Sequence, residues 1–190
     1  MDHRSPCQQG KLVVISGPSG AGKSTVCTHL VKDPRVQMSI SATTRAPRSG
    51  EVDGREYYFL AREEFERRIR AGEFIEHAEV FGNLYGTPRA PLEEAIRRGK
   101  VYLLDIDVQG ATQLMKQYPD GTYIFLEPPD FDELSRRLGG RRTESAEQLS
   151  TRLGTAPKEM AVRDKYTHRV VNDDLNRAIA EIRRIIFDED

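Results

Sequence analysis

The sequence predicts an α/β fold in which a parallel sheet is covered by helices on both faces. Three observations carry this. Short apolar, β-branched runs recur along the chain, each the length of a buried strand. Amphipathic segments of helical period separate them. A stretch rich in glycine turns then breaks that alternation, which marks an inserted unit.

The elements follow in order. Leu12 to Ser16 (LVVIS) ends at a glycine and reads as the first buried strand. Val101 to Ile106 (VYLLDI) and Thr122 to Leu126 (TYIFL) read the same way. Helical segments are expected at Lys23 to Lys32, Ala90 to Arg98, Val108 to Tyr118 and Asp130 to Leu138. Val170 to Asn172 is a candidate last strand. Leu175 to Phe187 is a last helix that places Leu175, Ile179, Ile182 and Ile186 on one face. Residues 38–90 hold the turns Ser49-Gly50 and Asp53-Gly54 and patches such as YYFL and EFIEHAEV. They read as a small mixed, β-rich unit with one helix, Glu63 to Ala71. Tyr57 and Tyr58 alternate like strand residues, so one of the two belongs to a core. Residues 139–159 form a second insertion, basic at its start and polar after it. Pro157 lacks an amide donor and crowds the carbonyl of Leu153, so a kink or a helix end is expected there.

Composition bounds the function. At 190 residues the chain is one domain's worth, with 37% hydrophobic residues, enough for a sizeable core. Lys plus Arg (29) and Asp plus Glu (30) nearly cancel to a net charge of −1. That balance gives no overall field to draw the chain onto nucleic acid or a membrane surface. No run approaches the roughly 18 consecutive apolar residues of a membrane helix. The first nine residues read as a polar, flexible tail without the apolar stretch of a secretion signal. Two cysteines, Cys7 and Cys27, are too few for a disulfide framework. A cytoplasmic location is the expectation.

Gly17 to Ser24 reads GPSGAGKS, directly after a strand and opening a helix. This G-x4-G-K-[ST] pattern is a phosphate-binding loop and points to a P-loop NTPase core. Gly17, Pro18, Ser19, Gly20, Ala21 and Gly22 would wrap a triphosphate with inward-pointing amides. The helix that starts at Lys23, Ser24 and Thr25 adds the positive end of its dipole. Lys23 would reach the β and γ phosphates, and the Ser24 hydroxyl would ligate Mg2+; GTPases, ATPases, small-molecule kinases and mechanical switches all carry such a loop. Asp105, closing the run VYLLD, stands where a second Mg2+-shell carboxylate belongs; a plain strand-end cap is its duller reading. The guanine-reading N-K-x-D motif of GTPases is absent, which weakens that branch.

Further motifs are SATTRAPR (Ser41 to Arg48), GEVDGREYYF (Gly50 to Phe59), FIEHAEVFGNLYGT (Phe74 to Thr87) and LLDIDVQGA (Leu103 to Ala111). With the phosphate loop, and in this order, they resemble the guanylate kinase family over nearly the whole chain from Gly10. The resemblance implies phosphorylation of GMP by Mg-ATP on a parallel-sheet core with a GMP-binding insertion and a helical lid. It implies a core of residues 10–37, 91–138 and 160–190, an insertion of 38–90 and a lid of 139–159.

The chemistry agrees with what the resemblance implies. Guanine offers donors at N1 and N2 and acceptors at O6 and N7. Glu76 and Asp107 match the family's two base-facing carboxylates. Ser41 and Thr87 match its two hydroxyls, Thr87 standing where serine is frequent. Adenine would set an acceptor against a carboxylate, and such mismatches can discriminate by about 10⁴. Arg45, Arg48, Tyr57 and Tyr85 match the cage around the GMP phosphate, which arginine forks suit. Taken singly, each has a plainer reading: a solvated turn, a core ring, a surface ion pair.

Arg137, Arg141 and Arg142 precede Thr143, and Arg152 follows. Arg141 matches the family's RGT lid motif and Arg152 its R-L-x-x-A stretch. Arg142 departs from the family's usual glycine. The resemblance makes Lys23, Arg45, Arg141 and Arg152 the main stabilisers of transition-state charge. Such arginines are worth about 10³ to 10⁵ in rate. No general base is needed, because the attacking phosphate monoester has a second pKa of about 6. Asn172, in VVNDD, matches a segment bordering the adenine, though a turn-forming role is as plausible. His77 stands where tryptophan is frequent, and a packing change is all that is expected of it.

Expected partners are ATP and GMP, with dGMP left open as a second acceptor, and neither nucleic acid nor membrane. Monomer and homo-oligomer both stay open. Two rivals are weighed. A non-catalytic binding module on this fold would have a degraded phosphate loop, and here the loop is whole. A kinase for another acceptor would lack Glu76 and Asp107, and both are present.

Overall fold

The computed structural model describes residues 10–139 and 146–187, and of residues 146–152 the backbone alone. The first apolar run forms β1 (Lys11–Ser16), and the phosphate-loop motif leads into α1 (Lys23–Leu30). A short strand that the sequence reading passed over, β2 (Val36–Met38), comes next. The inserted unit supplies β3 (Ala42–Thr43), β4 (Tyr58–Phe59), α2 (Arg62–Arg70), β5 (Phe74–Val80) and β6 (Asn83–Pro88). The core resumes with α3 (Arg89–Arg97), β7 (Val101–Asp105), α4 (Val108–Gln117), β8 (Thr122–Glu127) and α5 (Phe131–Gly139). The chain ends with α6 (Ala146–Met160), β9 (His168–Val171) and α7 (Leu175–Phe187).

Five strands form one sheet in the order β2-β7-β1-β8-β9, every pair parallel. Alternation along β1 divides the core into two layers. Val13 and Ile15 face α1 and α7, packing with Leu30, Ile182 and Ile186. Leu12 and Val14 face α3 and α4, packing with Leu92, Ala111 and Leu114. Both faces are therefore covered, which is why these strands read as continuous apolar runs.

The second sheet has the order β4-β3-β6-β5; β3 and β4 are parallel, and the other pairs are antiparallel. Phe65 of α2 stacks on Phe74 with ring centroids 4.5 Å apart, beside buried Ala42 and Leu84. The ambiguous tyrosine pair resolves here: Tyr58 packs against this small core, while Tyr57 lines a cavity. β5 and β6 are joined through Phe81 (φ 50) and Gly82 (φ 77), both left-handed, as a tight hairpin requires.

Two expectations are corrected. The helix does not end at Pro157: α6 runs on to Met160, and the Pro157 carbonyl still accepts the Ala161 N–H at 3.1 Å. Asn172 lies just past β9, not within it; its N–H reaches the Glu127 carbonyl at 2.8 Å. Among the described residues no helix is long and apolar enough to cross a membrane.

Candidate active site

The phosphate loop is shaped by contacts that exclude side chains. Gly17 has φ 143, and a Cβ there would lie 2.1 Å from the Leu126 carbonyl oxygen. Gly22 has φ 94, and a Cβ would meet the Asn172 amide nitrogen at 2.4 Å. Buried Asn172 donates through Nδ2 to the Ala21 carbonyl at 2.7 Å. Its own carbonyl accepts from Arg137 of α5 at 2.9 Å, and Arg137 also pairs with Glu133 at 2.6 Å. The loop is thus held from the far end of the sheet. The Lys23 ammonium folds onto the loop, donating to the carbonyls of Gly17 (2.8 Å) and Pro18 (3.1 Å). Ser19 offers its N–H to Glu159 of α6 at 3.4 Å.

Ser24 and Asp105 come from α1 and the end of β7, 81 residues apart, and meet at 2.7 Å between Oγ and Oδ2. A hydroxyl and a carboxylate converging beside a phosphate loop form a hard-oxygen set that suits Mg2+. Among the described residues no group of three or more His, Cys, Asp or Glu could hold a metal unaided. The remaining ligands would have to come from phosphate and water.

Across the cleft, the second sheet presents the other polar cluster. Thr87 donates to Glu76 at 2.6 Å, and Ser41 lies 3.4 Å from Thr87, hydroxyl to hydroxyl. Glu76 and Thr87 are adjacent partners of β5 and β6, which explains their meeting despite a separation of 11 residues. Glu76 is only 5% exposed. Burial raises its carboxyl to about 7; the Asp107 charge adds to that, and the Thr87 hydrogen bond opposes it. Asp107 caps α4, accepting the Gly110 N–H at 2.8 Å. Gly110 gives Glu76 its room: a Cβ there would be 2.5 Å from Oε2.

Arg45 approaches the Tyr57 and Phe59 rings, 5.4 and 5.8 Å from their centroids. Its guanidinium is held by Glu51 at 2.9 Å and by the Ala46 carbonyl at 2.7 Å. Glu51 also accepts the Arg48 N–H at 2.7 Å, so one carboxylate sets both ends of the arginine turn. Arg45 in turn holds the Glu51 carboxyl below its ordinary range. Tyr57 and Tyr85 meet edge to face with centroids 6.0 Å apart. Burial raises the Tyr57 phenol above its ordinary value, so it remains a donor at neutral pH.

Two cavities join these groups. One, about 490 Å³, is lined by Ser24, Arg45, Arg48, Glu51, Tyr57, Tyr85 and Asp105. The other, about 280 Å³, is lined by Gly17, Lys23, Glu76, Asp107 and Glu159. Both share Ser41, Tyr57, Tyr85 and Asp105, so they are two parts of one cleft. Its phosphate-loop wall carries Lys23, its opposite wall is acidic at Glu76 of β5 and Asp107 at the start of α4, and Arg45 and Arg48 line the larger cavity. Such a cleft can hold two phosphorylated molecules end to end.

Ser41, Arg45, Arg48, Tyr57, Glu76, Tyr85, Asp105 and Asp107 line the cleft, while Thr87 is fully buried behind it, bonded to Glu76. Arg141, with Arg142 and Thr143, lies outside the described residues, and the side chain of Arg152 is likewise outside them. Three contributors escaped sequence reading: Glu51, Gly110 and Glu159. Glu51 sits in a turn without periodicity, and Gly110 looks like any helical glycine. Glu159 lies 140 residues from its partner. A glycine one turn into an amphipathic helix, where it costs about 1 kcal/mol against alanine, was the one available signal of close approach.

Comparison with known proteins gives a consistent result. Residues 9–189 match the family model described as guanylate kinase. A guanylate kinase of Symbiobacterium thermophilum is 50% identical over 182 residues, covering 95% of this chain and 86% of that protein. One of Rubrobacter xylanophilus is 51% identical over 180 residues, covering 94% of each. The crystal structure of guanylate kinase from Anaplasma phagocytophilum superposes with a TM-score of 0.80 at 39% identity, covering 94% of this chain and 85% of that one.

Proposed function

The chain belongs to the guanylate kinase family, and from that premise we propose how its own residues carry the reaction. It transfers the γ-phosphoryl group of ATP to GMP, giving ADP and GDP. The phosphate loop, Gly17 to Thr25, grips the ATP phosphates. Lys23 leaves the Gly17 and Pro18 carbonyls to follow the transferring group. Ser24 and Asp105 would hold the Mg2+ that arrives with ATP, an ion that would offset phosphate charge. Asn172 acts on ATP through the loop it braces.

Glu76 and Asp107 accept from the guanine edge, and Ser41 and Thr87 supply hydroxyls to its acceptors. Arg45, Arg48, Tyr57 and Tyr85 hold the GMP phosphate in the larger cavity. A phosphate oxygen of GMP attacks the γ-phosphorus, and the bond from that phosphorus to the β-phosphate oxygen breaks. The attacking oxygen is already ionised at neutral pH, so the site supplies cations rather than a base. Arg45 supplies one from the acceptor side. Arg141 and Arg152 supply others from the lid, a role supported by their match to the family's lid motifs. The division into core, insertion (38–90) and lid (139–159) is supported by a second sheet contained within residues 42–88. The reaction belongs in the cytoplasm, where the free thiol of Cys27 stays reduced.

The observation that carries this reading is the single cleft with Lys23 and the Ser24–Asp105 pair on one wall and the Glu76–Thr87 pair on the other. The test is ADP release from Mg-ATP with GMP, AMP, UMP and CMP in parallel. GMP is expected to be the strongly preferred acceptor. Turnover of AMP with silence on GMP would reject the acceptor assignment.

A further inference from the structure

Glu76 sits on β5, the outer strand of the second sheet. This strand has a sheet neighbour on one side alone, and its pairing with β6 shifts register between Phe74 and Glu76. The next residue, His77, is held from outside its sheet. Its N–H donates to Oε1 of Gln113 at 3.3 Å, and its carbonyl accepts from Nε2 of Gln113 at 2.7 Å. One side-chain amide thereby supplies the donor and acceptor that a neighbouring strand residue would offer.

Gln113 stands on α4, a helix of the parallel-sheet core. Asp107, Gly110 and Gln113 follow each other at intervals of three, so they line one side of that helix. All three act on the same short stretch of cleft wall. Asp107 lines the cavity with Glu76, Gly110 leaves room for the Glu76 carboxylate, and Gln113 grips His77.

We propose that Gln113 is a positioning residue for acceptor recognition: its amide locks β5 to α4 in the register that keeps the Glu76 carboxylate over Gly110 and at a fixed spacing from Asp107. Glu76 comes from β5 of the second sheet and Asp107 from the N-cap of α4, and Gln113 ties that helix to that strand beside them. A neutral amide is required. A carboxylate could accept from the His77 N–H but could not donate to its carbonyl. It would also add a third negative charge next to Glu76 and Asp107. This inference rests on Glu76 and Asp107 reading the acceptor base, as proposed above.

The test uses the full chain and steady-state kinetics with ATP against GMP or inosine monophosphate, which lacks the guanine 2-amino group. Gln113→Glu keeps the shape and helix propensity of glutamine, so a merely structural surface residue would tolerate it. The expected result is a rise of about tenfold in KM for GMP, equivalent to ~1.4 kcal/mol and within the worth of two hydrogen bonds. KM for ATP stays within about twofold, because the phosphate loop is untouched. Gln113→Leu lowers the preference for GMP over inosine monophosphate, as kcat/KM, by about fivefold. The ratio of kcat/KM for two acceptors on one enzyme does not depend on the folded fraction, so the preference for GMP over inosine monophosphate still decides the matter for a poorly folding variant. A KM for GMP within about twofold of wild type in both variants, or a parallel rise in KM for ATP, overturns the proposal. Glu76→Gln runs alongside. If it leaves GMP use intact, the reader assignment fails and this inference with it; if it impairs GMP use while the Gln113 variants are silent, only this inference fails.

Discussion

Replacing Glu76 with glutamine should separate what this carboxylate costs the fold from what it does for recognition. Burial holds its carboxyl at about 7, against 4.5 when unfolded. Between those values the native protein keeps a proton that the unfolded chain has released. The group's favourable contribution is therefore complete below pH 4.5 and is lost as pH rises through about 7. Above pH 7 the ionised, buried form costs up to about 3 kcal/mol relative to the neutral one. Glu76→Gln removes that charge and keeps an oxygen to accept from Thr87. Its new amide brings a fixed penalty that is the same at every pH and cancels in a comparison across pH.

The measurement is thermal unfolding of the ligand-free protein and the variant at pH 5 and pH 8.5. A chain of this size moves about 2–4 °C per kcal/mol. The variant's Tm relative to wild type should therefore rise by roughly 5–10 °C between the two pH values. GMP use should fall at both. A Tm difference that is the same at pH 5 and pH 8.5, or smaller at 8.5, would refute the claim that a buried carboxylate is held against its solvation. On the proposed reading the ligand is the reason for keeping such a group: guanine's N1–H and N2–H would stabilise the ionised form and recover that cost when GMP binds.

Gly110→Ala places a methyl 2.5 Å from the Glu76 carboxylate oxygen; we expect KM for GMP to rise by more than about tenfold while thermal stability changes by no more than ~2 kcal/mol, because helix propensity offsets the crowding. Unchanged KM for GMP would show that Glu76 has room to move. Asn172→Ala leaves the Ala21 carbonyl without its buried donor, a loss of about 1–3 kcal/mol seen as a lower Tm, with KM for ATP rising and KM for GMP unaffected; a selective effect on GMP would contradict the bracing role. Asp105→Asn should raise the Mg2+ concentration needed for half-maximal rate by about tenfold or more without changing GMP affinity measured in the absence of ATP. An unaltered Mg2+ titration would reduce Asp105 to a strand-end partner of Ser24.

The phosphate loop was readable because its chemistry is local. Gly17 to Ser24 are contiguous, the binding groups are main-chain amides, and the flanking strand and helix announce themselves by period. The three central strands β7, β1 and β8 were readable too, since burial on both faces leaves mostly apolar side chains in them. β2 escaped because three residues, one fully apolar-buried and two half-exposed, carry no period. The second wall was visible only as separate motifs whose meeting had to be supplied by family resemblance. Pro157 is a different case: the local rule allowed a kink or a helix end, and the helix runs through it to Met160.

Sequence pointed to the triphosphate site, because a triphosphate is gripped by a short continuous segment whose residues must be small and basic in a set order, and the reaction followed from the resemblance of the separated motifs to the guanylate kinase family. The folded chain was needed to show which carboxylate is buried, which arginine is held, and that Asp107, Gly110 and Gln113 along one helix come close to Glu76 or its neighbour His77. Those are facts of distance between residues far apart in the chain, set by how two sheets pack, and no local spacing encodes them.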